Sequence, residues 1–412
     1  VSIQLPERIR RFTTDPDEPL HQGAYASPLR DERLAAILGA ALGTLFSICF
    51  LTGLYSHLQQ NPQSWFPIPA RPAGLYRFTQ GLHIASGIAS VPVLIAKLWL
   101  VWPRFVAFPV AKRLSHVVER IGLFPLVAGG IFMTFSGVAN IAQWYPWKFS
   151  FRASHFWMAW VTMGAIVAHV GAKWAIARRT LARPSRRPAL AAADPVLGTA
   201  AEMPAAGAGA DRGAGLSRRG LLATVAGASG LLTLTTLGET FHPLRAIALL
   251  APRDPDVGPQ GRPVNRGAAN AGVVDLAQSP AYRLEVSGRV ARPLSLTRDE
   301  LLALPTHGAE LPISCVEGWS YSAGWQGVRI RDLLAMAGAD PGRTVLVESL
   351  EPRGAYRTST LNPGQAADRD TLLATHLDGK PLAVDHGFPC RLIGPNRPGV
   401  LQTKWVARVV VL

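Results

Sequence analysis

The chain has 412 residues, of which 48% are hydrophobic and only 17% charged, with a formal net charge of +15. The length suits two domains, and the apolar share is high for an ordinary soluble protein. The positive charge would suit a nucleic-acid binder, but most of it flanks apolar runs and therefore reads as membrane topology, not as a nucleic-acid footprint.

Residues 1–32 form an N-terminal segment bearing Arg8, Arg10, Arg11 and Arg30. Four runs then follow that are long enough to cross a bilayer: Leu34–Tyr55, Leu75–Val101, Ile121–Ala142 and Ser154–Ile176. Together they predict a four-helix membrane domain over 33–178. Arg104, Lys112, Arg113 and Arg120 lie between the second and third runs, and Lys173, Arg178 and Arg179 close the fourth. The other two loops carry fewer cations, Arg71 and Arg77 in one, Lys148 and Arg152 in the other. The positive-inside rule puts the N-terminus, the second loop and the tail after the fourth run in the cytoplasm. Residues 179–216, rich in Ala, Pro and Gly, read as a cytoplasmic linker.

The stretch 217-SRRGLLATVAGASGLLTLTTLG-238 has no charge after Arg219 until Glu239 and predicts a fifth span within 217–250. Residues 251–412 are then expected outside the cytoplasm, periplasmic or extracellular, on a bacterial-type inner membrane. From Val273 onward short alternating runs split by Gly and Pro replace the long apolar ones: 282-YRLEVSGRV-290, 344-TVLVES-349, 390-CRLIG-394 and 405-WVARVVVL-412. With one helical stretch at Arg329–Ala337, this predicts an α+β, mostly β, domain. It contains no Gly-rich dinucleotide fingerprint and no phosphate-cradling loop.

Three cysteines are too few for a disulfide framework; only Cys315 and Cys390 share a compartment. Histidine is rare in spans, so each one there is a functional candidate. His83 lies in the second run, and His155 and His169 in the fourth, fourteen residues apart (169 − 155). That separation puts both on one helix face about 21 Å apart, a spacing that suits two stacked haems. His83 and His155 fall at matched depth near the outer surface and are expected to be the two axial ligands of one b-type haem. For an inner haem the expected pair is His116 and His169, since Lys97 occupies the matching place on the second run; His21 is the fallback partner. His57, at the outer end of the first run, is left between the outer haem, a quinone and the exported domain.

Several motifs carry resemblances. Ser217-Arg218-Arg219-Gly220-Leu221-Leu222 resembles a twin-arginine export signal, with Leu221 where the family usually has Phe. That resemblance implies a domain exported already folded around a cofactor. The alternative is a basic flank before a helix, and the run alone leaves both open. The stretch 313-ISCVEGWSYSAGWQGVRIRDLL-334, with 263-PVNRG-267, 378-DGKPLAVDHGFPCRLIGPN-396 and 404-KW-405, resembles the molybdopterin-binding fold of the sulfite oxidase family over about Pro263–Leu412. Its Cys-Val-Glu-x-Trp is similar to the periplasmic methionine-sulfoxide reductase branch. The resemblance implies Cys315 as the molybdenum thiolate, and Asn265, Arg266, His386, Arg391 and Lys404 as pterin-binding positions. It also implies Glu317 and Trp319 beside the substrate approach. Soft sulfur suits molybdenum, whereas Cys390 reads as a buried structural cysteine. The helices with their histidines resemble cytochrome b membrane subunits of formate dehydrogenases and hydrogenases.

Together these imply a membrane-bound molybdenum oxidoreductase linking quinone to an extracytoplasmic substrate through one or two b-type haems. Reduction of an S-oxide or N-oxide such as methionine sulfoxide is the first expectation and sulfite oxidation the second. A non-catalytic electron-transfer or sensory protein is the third. The expected partners are quinone, the oxide substrate and the lipid bilayer, not nucleic acid. With the chain ending at Leu412, any oligomer would form without the dimerisation domain of animal and plant sulfite oxidases.

Overall fold

The computed structural model describes residues 27, 29–106, 114–182, 216–254 and 256–412, with only the backbone described for 104–106 and 114–120. Five long helices come first: α1 (Glu32–Gln60), α2 (Leu75–Val106), α3 (Leu114–Ile141), α4 (Phe151–Ala182) and α5 (Arg218–Leu237). All five are long and apolar enough to cross a membrane. Helical pairing satisfies every interior backbone amide within the segment, which is what a hydrocarbon environment demands. Their large apolar side chains are exposed accordingly, including Leu51, Ile95, Phe124, Trp157, Val167 and Leu231.

The chain divides into two compact units, each containing parts of these helices. Among the described residues, one unit holds those up to Thr44, Val91–Gly130 and Val161–Ser229. Within it, Lys97 on α2 donates to the Ala35 carbonyl of α1, and Arg218 pairs with Asp31 at 2.7 Å. The other unit holds Leu45–Ser90, Ile131–Trp160 and Gly230–Leu412.

In this second unit the region after α5 forms two five-stranded sheets. One has the order β2 (Leu294–Thr297), β1 (Arg283–Gly288), β10 (Val406–Val411), β5 (Val345–Ser349), β6 (Thr358–Leu361). The β1–β10 pair is parallel, and its other neighbours are antiparallel. The other sheet has the order β3 (His307–Ser314), β4 (Ser320–Arg329), β7 (Leu372–Leu377), β8 (Lys380–Pro381), with β9 (Arg391–Ile393) also on β7. Period-two alternation selects the buried face: Leu284 and Val286 of β1 are buried while Arg283 and Glu285 are exposed. A common core joins Leu284, Val286, Val345, Val347 and Val409 to Val328, Leu373 and Leu392 of the other sheet. The helix Ile330–Met336 contributes Ile330, Leu333 and Leu334 to that core. The expected α+β, mostly β, pattern is observed, with the strands at the expected stretches.

This sheet region is seated on helix ends of the same unit. The Asn396 side chain accepts from the Tyr76 amide at 2.9 Å and donates to the Pro69 carbonyl at 2.7 Å. Asn362 donates to the Ile68 carbonyl at 2.8 Å. Arg71 makes a bidentate pair with Asp368, both bonds 3.0 Å, and also reaches Asp370. Pairs of this geometry resist rotation better than a single-point ion pair does.

Candidate functional site

The strands β3 and β4 pair in register down to Ser314 opposite Ser320, so residues 315–319 form the loop of the hairpin. The Cys315 amide donates to the Trp319 carbonyl at 2.9 Å, and the Gly318 amide to the Cys315 carbonyl at 3.2 Å. Inside this loop the Cys315 sulfur is buried and accepts from the Asn265 amide nitrogen at 3.0 Å. Asn265 also donates to Glu317 at 2.7 Å and accepts from the Trp319 indole at 3.1 Å. Burial, followed by the Glu317 carboxylate, pushes the Cys315 thiol up to about 12. A thiolate at this position therefore requires a cation beside it.

The residue after Asn265 leads to a second cluster. The Arg266 carbonyl accepts from the Lys404 ammonium, which also donates to the Asp385 carbonyl at 2.9 Å and lies 4.2 Å from the Trp405 ring centre. Arg266 itself pairs with Glu351 at 3.0 Å. Arg391 is buried at the start of β9, donating to the His386 and Gln402 carbonyls at 3.1 Å each, while its Nε has no partner. Arg397 is buried too, and its Nε is likewise unpartnered. The His386 Nε2 donates to the Pro259 carbonyl at 2.7 Å, and burial pushes the imidazole down to about 4. Burial pushes Arg391 down to about 10.

Burial, helped by the Arg391 guanidinium, pushes Lys404 down to about 7. Between that value and the usual lysine range the unfolded chain holds the additional proton, so this residue makes stability rise with pH across the window. A Lys404→Met chain lacking any bound group is expected to lose that rise, as measured by chemical unfolding between about pH 7 and 10.

The cysteine loop also touches the helices of its own unit. Gln80 of α2 and Asn140 of α3 donate to the Val316 carbonyl at 3.3 and 3.2 Å. Gln143 bridges Glu317 and Arg253. Thr240, just beyond α5, donates to the Gly318 carbonyl, and the Ser320 amide donates to the Glu239 carbonyl at 2.8 Å. Gly318 has φ +113, and a Cβ there would lie 2.6 Å from Ile84 Cδ1 and 2.7 Å from Glu239 Oε1. A Gly318→Ala chain is expected to lose about 1–3 kcal/mol of stability from the backbone strain, read by unfolding in detergent.

His83, adjacent to Ile84, faces His155 with ring centres 6.3 Å apart at 72°. Both Nδ1 atoms are engaged. That of His83 meets the Cys49 carbonyl at 2.9 Å and the Thr52 hydroxyl at 3.2 Å, and that of His155 meets the Ser136 hydroxyl at 2.8 Å. Such partners fix the tautomer and leave Nε2 to bind. Gly53 faces the pair: a Cβ there would come within 3.0 Å of His83 Cε1.

Other sequence candidates lie elsewhere. His57 stacks on Phe156 at 3.6 Å. His169 is half-buried on α4 in the first unit, whereas the His116 side chain and all of His21 lie outside the described residues. Arg353 contributes a carbonyl to Arg266, and Arg357 donates to the Pro352 carbonyl at 3.2 Å. Sequence reasoning missed Gln80, Asn140, Gln143, Glu239 and Thr240 around the loop, and Thr52 and Ser136 behind the histidines. The signal available was polar residues at span ends in a chain otherwise frugal with them.

Residues 271–412 match the family model "Oxidoreductase molybdopterin binding domain". This part of the chain is a molybdopterin-binding oxidoreductase domain of the sulfite oxidase family. Among its curated relatives, mitochondrial sulfite oxidase of Drosophila melanogaster is 34% identical over 155 residues, 32% of this chain and 27% of that protein. Nitrate reductase [NAD(P)H] of Hordeum vulgare is 35% identical over 173 residues, 34% of this chain and 19% of that protein. A putative protein-methionine-sulfoxide reductase subunit, YedZ1, of Azospira oryzae is 34% identical over 131 residues, 32% of this chain and 49% of that protein. The matched stretches thus span at most about half the length of these relatives.

The residues fit a molybdopterin. One buried sulfur stands at the end of a hairpin, and Asn265–Arg266 links it to a cluster of Arg266, Arg391 and Lys404. Mutual repulsion within that cluster would be relieved by an anionic phosphate. Among the described residues no three His, Cys, Asp or Glu side chains gather as a metal set.

Proposed function

We propose that this protein is a membrane-bound molybdenum oxidoreductase. In this proposal it passes electrons from quinol through b-type haem to an extracytoplasmic site that reduces an S-oxide or N-oxide, such as methionine sulfoxide. The observation that carries the proposal is the meeting of Gly318 in the cysteine loop with Ile84, the residue next to His83. A histidine pair and a buried cysteine are thereby joined through two adjoining side chains and one loop. Two imidazoles bonded to one metal at about 2 Å each put their ring centres roughly 6 Å apart, which the observed 6.3 Å supports.

When bound, molybdopterin supplies a metal able to exchange an oxygen atom in a two-electron step. Cys315 offers its sulfur to that metal, with Asn265 orienting the sulfur and Trp319 and Glu317 beside it. Arg266, Arg391 and Lys404 would hold the pterin phosphate, and His386 would brace Pro259 against the same region. His83 and His155 would hold the outer haem. His169, with His116, is the proposed pair for an inner one. The internal twin-arginine-like run would export the domain after folding, with residues 251–412 outside the cytoplasm.

A second direction, sulfite oxidation with electrons returned to quinone, is supported by the mitochondrial sulfite oxidase among the relatives. Purified protein given a reduced quinol analogue is expected to oxidise it on addition of methionine sulfoxide. Quinone reduction driven by sulfite would reverse the direction. Neither reaction, from protein carrying molybdenum, would point to the non-catalytic alternative.

A further inference from the structure

Oxide reduction consumes two protons with two electrons, yet the described contacts of the cysteine loop include one acid that the proposal above leaves without a role. Glu239 lies two residues beyond the end of α5 and is 1% exposed. Its backbone carbonyl is fixed by the Ser320 amide, while among the described residues its carboxyl closes no good hydrogen bond, the Arg253 backbone amide being the donor that approaches it. That carboxyl points at the loop, since a Cβ on Gly318 would meet its Oε1 at 2.7 Å and Ile84 at 2.6 Å. Glu239 thus lies where the loop of Cys315 and the residue after His83 converge.

A carboxyl buried with so little hydrogen bonding is a costly choice for structure alone. Leucine or glutamine at this place would avoid burying an acid, and the fold needs only the backbone of residue 239 for its contact with Ser320. The charged groups facing it are Glu317 from the loop and Arg253 from the segment after α5, with the Gln143 amide between them. Burial pushes the Glu239 carboxyl up to about 8; the Arg253 backbone amide and guanidinium act against burial and Glu317 acts with it. The acid is therefore mostly neutral at pH 7 and changes protonation most readily near pH 8, when a nearby charge changes.

Resting on the haem and molybdenum assignment above, we infer that Glu239 is the proton carrier that couples electron passage between the His83–His155 centre and the Cys315 loop to proton uptake. Where Glu239 is ionised, near pH 8 and above, one electron arriving from quinol at that centre is matched by one solvent proton bound to its carboxylate, which becomes the neutral acid. Departure of the electron towards the loop releases that proton. Two such cycles deliver the two electrons and two protons that turn an S-oxide into a sulfide and water.

The test compares intact, cofactor-loaded wild-type protein with Glu239→Gln and Glu239→Asp in detergent. The haem midpoint potential is titrated optically across pH, and a reduced-minus-oxidised infrared difference spectrum is recorded on the same samples. The wild-type potential is expected to fall as pH rises, with a protonated-carboxyl C=O band appearing on reduction. Glu239→Gln should lose both the slope and the band, and Glu239→Asp should retain both, the band shifted. A slope and band unchanged in Glu239→Gln would overturn the inference while leaving the haem and molybdenum assignment standing. Purified wild-type protein without haem would overturn both together.

Discussion

Cys315→Ser protein is expected to lose more than about 100-fold of its oxide-reducing activity while keeping its haem absorption unchanged. The magnitude follows from ligand chemistry: removing a partner one shell out costs about 10–100-fold, and removing the ligand itself costs more. The selectivity follows from the structure. Serine replaces a soft sulfur by a hard oxygen, but it leaves the backbone bonds of the loop to Trp319, Gln80 and Asn140 in place. The histidine pair depends on Thr52, Cys49 and Ser136, none of which touches Cys315. Turnover assayed with a reduced dye, alongside the optical spectrum, checks both halves; normal turnover would remove Cys315 from the ligand position.

The second large effect concerns the histidines. His155→Ala is expected to remove one haem per chain and to abolish quinol-driven turnover, while dye-driven turnover at the cysteine site persists. His83 and His155 sit on different helices, and their Nδ1 atoms are each tied to a separate partner. One imidazole lost leaves the other correctly held but without its mate, so the loss concerns the cofactor more than the fold. Pyridine-haemochrome quantification against protein, with the two electron donors compared, reads this directly. An unchanged haem content would shift the ligand role to another histidine.

Much of the architecture was legible because it depends on local pattern. Long apolar runs located the five helices, and period-two alternation located β1, β5, β9 and β10 within a residue or two. The cysteine loop was legible from motif residues that are close in sequence, since 315–319 is a single hairpin turn. The proximity of His83 and His155, with ring centres 6.3 Å apart, was legible from matched depth on two spans. What escaped depends on side chains that only the tertiary fold brings together. Gln143 merely follows the third apolar run in sequence, yet its amide reaches Glu317 and Arg253. Glu239 reads as the charge that ends a span, and only the packing of Gly318 and Ile84 gives it a role. Likewise, Asn265 was expected at the pterin, and the structure puts its amide on the Cys315 sulfur.

The central claim is that one chain joins a molybdenum site to haem. The most direct measurement is a reduced-minus-oxidised optical spectrum of the purified protein, with molybdenum and haem quantified on the same sample. Molybdenum near one per chain together with b-type haem bands is the predicted result, and the haem count decides whether His169 holds a second group. Molybdenum without haem would contradict the role given to His83 and His155, and haem without molybdenum would contradict the role given to Cys315.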